Sequence, residues 1–192
     1  MHKNFFRRSA WQLLILVGFQ FFIACDNDDP ETEPNLIIGL WTFESQELEF
    51  YLNDVKQSES EVEFYTSLLG VDLESFQIPA GATFEFKEDG SFEGNAEGFE
   101  AQTGQWLLSD DEANEKTILS LSSNEDLLFL DVESLPELAS DVFFEEDGSV
   151  AFEVLSLTQT DARFFLSGET EVEVAPFGTQ RVRIDLTINL AK

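Results

Sequence analysis

Histidine and cysteine are almost missing from this chain, which holds one of each, His2 and Cys25, in 192 residues. A single cysteine excludes an internal disulfide. Beyond Cys25 neither residue occurs, so that region has no Ser-His-Asp or Cys-His nucleophilic machinery and no histidine-ligated zinc. Cations are scarce too: ten Lys and Arg stand against 39 Asp and Glu, a formal net charge of −29. Such a field repels phosphate backbones and anionic headgroups, and no nucleic-acid partner is expected. Carboxylates alone remain for catalysis, as in glycoside hydrolysis, and among so many no pair stands out. The acids at Asp26–Asp29, Asp110–Glu112 and Glu145–Asp147 lack the alternating oxygen ligands and spaced glutamate of a calcium loop. The expectation is a non-enzymatic protein with no metal and no cofactor.

A long apolar run is also absent. Leu13 to Ala24 is about a dozen residues, broken by Gly18 and Gln20, where a membrane-spanning helix needs ~20. Lys3, Arg7 and Arg8 precede it, and Asp26-Asn27-Asp28-Asp29 follow. Cations, a short apolar stretch and a small residue before the break make a signal peptide over residues 1–24. The junction Phe22-Ile23-Ala24-Cys25 resembles the lipobox of bacterial lipoproteins, with Phe22 where Leu is usual. The resemblance implies cleavage before Cys25, acylation of its thiol and amine, and a lipid bilayer as partner. Several acyl chains at ~0.8 kcal/mol per buried CH₂ make a firm anchor. The acids after Cys25 resemble the surface-export signal of Bacteroidota-type lipoproteins, which implies an outer-membrane, cell-surface address. The alternative is a periplasm-facing lipoprotein, since in other Gram-negative bacteria an Asp after the cysteine retains it at the inner membrane.

Cleavage leaves 168 residues and, with three cations and no acid removed, takes the charge from −29 to −32. Fifteen of the twenty Phe remain, with Trp41 and Trp106, ample for the core of one domain. Residues 25–35 are polar and Pro-bearing and read as a lipidated, flexible tether. From 36 to 192 a period of two dominates. Trp41 and Phe43 share one face, as do Leu48, Phe50 and Leu52, then Ala82, Phe84 and Phe86. The longest such row is Val182, Ile184, Leu186, Ile188 and Leu190. Asp89-Gly90 and Asp147-Gly148 each sit between apolar runs as hairpin turns. Further turns are expected at Ser109–Asn114, Thr160–Asp161, Ser167–Gly168 and Pro176–Gly178. One helix is expected over residues 60–69, opened by a Ser60/Glu63 capping box. Residues 125–135 fit either helix or strand.

Eight to ten hairpin-linked strands allow a β-sandwich or a barrel. Gly39-Leu40-Trp41 resembles the Gly-x-Trp opening of lipocalins and their lipocalin-like bacterial relatives. Residues 82–95, 104–122 and 150–166 resemble the middle and penultimate strands of those domains. The resemblance implies an all-β fold, an antiparallel up-and-down barrel of about eight strands, with insertions at 53–81 and 123–141. It also implies that Trp41 plugs the closed end beneath an arginine, here Arg181 or Arg183, a contact of ~0.5–2 kcal/mol. Phe43, Phe84, Phe86, Trp106 and Phe152 then line the interior, either walling a pocket for a small hydrophobic ligand or filling the core. A filled barrel would instead act through its surface, as an interaction subunit of an outer-membrane complex.

Overall fold

The structure, a computed structural model, describes residues 34–69, 77–123, 128–129, 144–145, 148–174 and 177–192. All belong to one compact unit, Glu33–Lys192. The lipobox residues and Cys25 lie outside them, as does 125–135 apart from Leu128 and Phe129. A short helix α1 (Pro34–Ile37) leads into β1 (Gly39–Leu52), then β2 (Val55–Lys56) and helix α2 (Glu59–Leu69). β3 (Thr83–Phe86), β4 (Ser91–Asn95), β5 (Gln102–Asp111), β6 (Lys116–Ser123), β7 (Val150–Leu157), β8 (Asp161–Val174) and β9 (Gly178–Ala191) complete the chain.

Sequential strands pair antiparallel from β3 to β9, and β1 pairs with both β3 and β9. The sheet therefore closes on itself as an eight-stranded up-and-down barrel, with β2 an extra strand on the far end of β1. That closure excludes the sandwich, which needs two separate sheets. Closure needs one buried side chain in every two, and the predicted alternation delivers it. Val182, Ile184, Leu186, Ile188 and Leu190 of β9 are all buried, each worth roughly 1.5–3 kcal/mol against exposure.

A bulge interrupts β1. Phe43 pairs with Leu190 and Ser45 with Asn189, leaving Glu44 as the extra residue. It switches the inward set from odd (Trp41, Phe43) to even numbers (Leu48, Phe50, Leu52), so both apolar rows of the sequence face the same interior. It also marks where β1 leaves β3, whose pairing covers only Gly39–Thr42.

The hairpin at Asp89-Gly90 closes through Lys87 N–H to Ser91 O (2.9 Å) and Gly90 N–H to Lys87 O (3.1 Å). This is a three-residue loop with Gly90 at φ 82°, a position that favours glycine. Glu145, Gly148 and Ser149 repeat the same two bonds at 2.8 and 2.9 Å. Two expected turns are corrected. Ser167 and Gly168 lie inside β8, paired with Asp185 and Ile184. There an unbroken ladder to β9 outweighs the local turn preference of Ser-Gly. Ser109–Asp111 likewise belong to β5, and the turn falls at 112–115.

Gly104 of the second Gly-x-Trp faces inward beneath Phe92. A Cβ there would lie 2.1 Å from Ser122 O and 2.4 Å from Phe92 Cε1. Ser122 O is backbone of the paired strand and cannot move aside. Gly104→Ala is expected to cost about 3 kcal/mol, as overpacking of a filled wall does, read as a lowered urea midpoint at unchanged m-value.

Candidate functional site

Trp41 is fully buried at the pole where α1 enters. Its Nε1 donates to Ile37 O at 2.6 Å, so the short helix is stitched to the plug it precedes. The cation over its ring is Lys192, with Nζ 4.6 Å from the centroid. Lys192 Nζ also donates to Leu36 O (3.0 Å) and Ile38 O (2.9 Å). The expectation of Arg181 or Arg183 is thus corrected, and register is the reason. β1 and β9 run antiparallel, so Thr42 faces Ala191 whereas Tyr51 faces Arg183. Both arginines sit roughly 30 Å of strand from Trp41. Arg183 stacks 4.0 Å from the Tyr51 ring centroid, and Arg181 pairs with Asp54 and Glu169.

Phe84, Phe86 and Phe152 are buried in the barrel centre. With Leu119, Leu128 and Phe164 among their neighbours, they surround a void of about 10 Å³, no more than one water would occupy. Trp106 is half-buried in the wall, its Nε1 donating to Lys87 O at 3.0 Å and its ring edge-on to Phe86 at 6.0 Å. Phe43 packs against the same core from β1 and also lines a side cleft.

The upper plug was not legible in the sequence. Leu128 and Phe129, from the β6–β7 insertion, are buried with left-handed φ of 55° and 62°, a conformation costing roughly 1–2 kcal/mol per residue. The buried Gln102 amide oxygen accepts from Phe129 N–H at 2.8 Å, and the Phe129 ring packs 5.9 Å from Phe84 and 5.6 Å from Phe99. Burial of two large side chains offsets the strain. Two plugs and a ring of phenylalanines fill the barrel.

Space opens instead beside β1. Beyond the bulge, where β1 has left β3, a cleft of about 710 Å³ lies between that strand, α2 and residues 77–78. Its apolar lining is Phe43, Leu48 and Phe50 from β1, Ile78, and Val62 from the facing helix. The Gln46 side chain accepts from Ile78 N–H at 2.9 Å and ties that stretch to the strand. The far wall is α2, and its start differs from the expected box by two residues. Ser58, not Ser60, is the cap: Glu61 Oε2 accepts from Ser58 N–H (2.9 Å) and Oγ–H (2.5 Å), and Val62 N–H donates to Ser58 O. Both Ser-x-x-Glu pairs are in the sequence. The helix starts at the first of them, and Val62 and Tyr65 pack on the core.

A charged network edges the cleft. Glu49 takes hydrogen bonds from Lys56 Nζ and, at 2.8 Å, from the Tyr51 hydroxyl. The Lys56 and then the Tyr51 bond hold the Glu49 carboxyl below its ordinary 4.5, and the same contacts raise Lys56 and Tyr51. Glu59 and Glu63 also line the cleft, without an ion pair among the described residues. No group of three or more potential ligands able to hold a metal occurs among the described residues, and no helix there is long and apolar enough to cross a membrane. No family model, no curated protein and no solved structure matches the chain.

Lys192→Met should cost about 1 kcal/mol, the scale of an exposed cation–π contact, and shift the near-ultraviolet circular dichroism of Trp41. Arg181→Met should leave that band in place. Trp41→Ala should cost about 3–5 kcal/mol in denaturant melts. A depressed carboxylate contributes stability that is present above its unfolded value and lost as pH falls through its folded one. Glu49 should therefore titrate below 4.5 by carboxyl NMR, and Lys56→Met should move it back upward.

Proposed function

We propose that this chain is a lipoprotein tethered through Cys25 at the outer membrane, facing the cell surface, and that its lipocalin-like barrel is a filled scaffold for a side cleft that binds a small hydrophobic ligand. The observation that carries the binding half is a contrast of volumes, about 710 Å³ beside β1 against about 10 Å³ inside the barrel. Small-molecule sites fall in the range ~300–1,000 Å³, mostly apolar with a few polar groups to orient the ligand. The cleft has the volume and five apolar side chains, and its eight other lining residues are polar or charged, so it offers more polar partners than such sites usually do. The tether half rests on the cations, short apolar stretch and lone cysteine of residues 1–25.

One observation favours an interaction role as a second reading. Of the eight large apolar side chains exposed among the described residues, Val55, Phe64, Leu68, Phe99 and Phe177 lie on β2, α2 and two connections at the pole away from Trp41, while Leu40, Leu107 and Leu155 lie on the strands. The larger group, at one pole, is the kind of patch that marks a contact surface.

Cys25→Ser should move the protein from the membrane fraction to the soluble one, and retention with an intact N-terminus would rule the anchor out. A neutral naphthylamine dye should brighten on binding residues 33–192. Leu48→Trp and Val62→Trp, which fill the cleft from opposite walls, should each weaken that binding about tenfold, roughly 1.4 kcal/mol. Unchanged binding in both folded variants would place the ligand elsewhere.

A further inference from the structure

The cleft is apolar at its floor and negative at its edge, and α2 contributes to both. Leu48 and Phe50 come from β1 and Val62 from α2. Glu59 and Glu63 stand one helical turn apart on α2, both exposed and both bordering the same space. Residues spaced four apart on a helix have Cβ atoms about 5–6 Å from each other, a span that one ammonium group bridges. The positive features nearby are already engaged: Lys56 by Glu49, and the start of α2 by the carboxylate of Glu61. Across the opening, Glu49 keeps its charge to lower pH than an ordinary glutamate.

We infer that the cleft selects an amphiphile with a cationic head, its apolar tail on Leu48, Phe50 and Val62 and its ammonium between Glu59 and Glu63. This rests on the binding reading above and adds the charge of the ligand. An anionic amphiphile such as a fatty carboxylate meets the same floor but places like charges together, which costs affinity. The overall negative field draws any cation toward the protein, so the assignment is to these two residues and not to the net charge.

Calorimetry on residues 33–192 at physiological salt, with decyltrimethylammonium, decyl maltoside and decanoate below their micelle concentrations, tests the assignment. The cation should bind about tenfold tighter than the neutral amphiphile, with decanoate weakest. Glu59→Gln with Glu63→Gln should erase that preference while the maltoside still binds. Glu88→Gln with Glu112→Gln, which removes the same charge at the Trp41 pole, should leave it intact. Equal affinities for the three amphiphiles, or equal losses in the two double variants, would overturn the cationic assignment and leave the cleft as a site. Binding of all three that ignores Val62→Trp would overturn the cleft itself and the assignment with it.

Discussion

The ladder between β1 and β9 is the constraint on which the rest of this molecule depends. It runs from Thr42 opposite Ala191 to Leu52 opposite Val182. Without it the sheet would be open, with two long apolar edges exposed to pairing by other chains. With it every strand has an inside and an outside, and the alternating residues of β9 have one place to go. The same ladder settles which cation meets Trp41. Because the strands are antiparallel, the start of β1 meets the end of β9, and a lysine at 192 reaches the ring that arginines at 181 and 183 cannot.

The Glu44 bulge then separates scaffold from site. Below it β1 belongs to the closed wall and contributes Trp41 to the core. Above it β1 leaves β3, and the gap is faced by α2 and by Ile78, anchored to Gln46. A barrel of eight strands has little spare interior, since its side chains reach the axis from all sides. Large residues at Phe84, Phe92, Phe152 and Phe164, all buried, use what there is. Room for anything else therefore lies where the wall is incomplete.

Barrel type, strand positions and the inward rows were legible because a period of two over many residues is a strong signal and because the Asp-Gly turns have their own chemistry. Even the bulge left a trace, in the shift from odd to even apolar positions along β1. Ser167–Gly168 misled because local turn preference is weak beside fourteen residues of ladder. Leu128 and Phe129 could not be foreseen, since a buried pair in left-handed backbone has no periodicity and owes its place to Gln102 and Phe99, which are distant in sequence. That Phe43 borders the cleft as well as the core was hidden for a similar reason. Its face was readable, but the parting of β1 from β3 depends on how few residues β3 contributes.

The position of α1 bears on geography. Residues 34–38 and Lys192 share the Trp41 pole, while the cleft borders the stretch of β1 beyond its bulge. Ten residues of tilted strand separate the two ends by about 25 Å along the barrel axis. The closed pole thus holds both ends of the described chain, and the cleft lies well away from either.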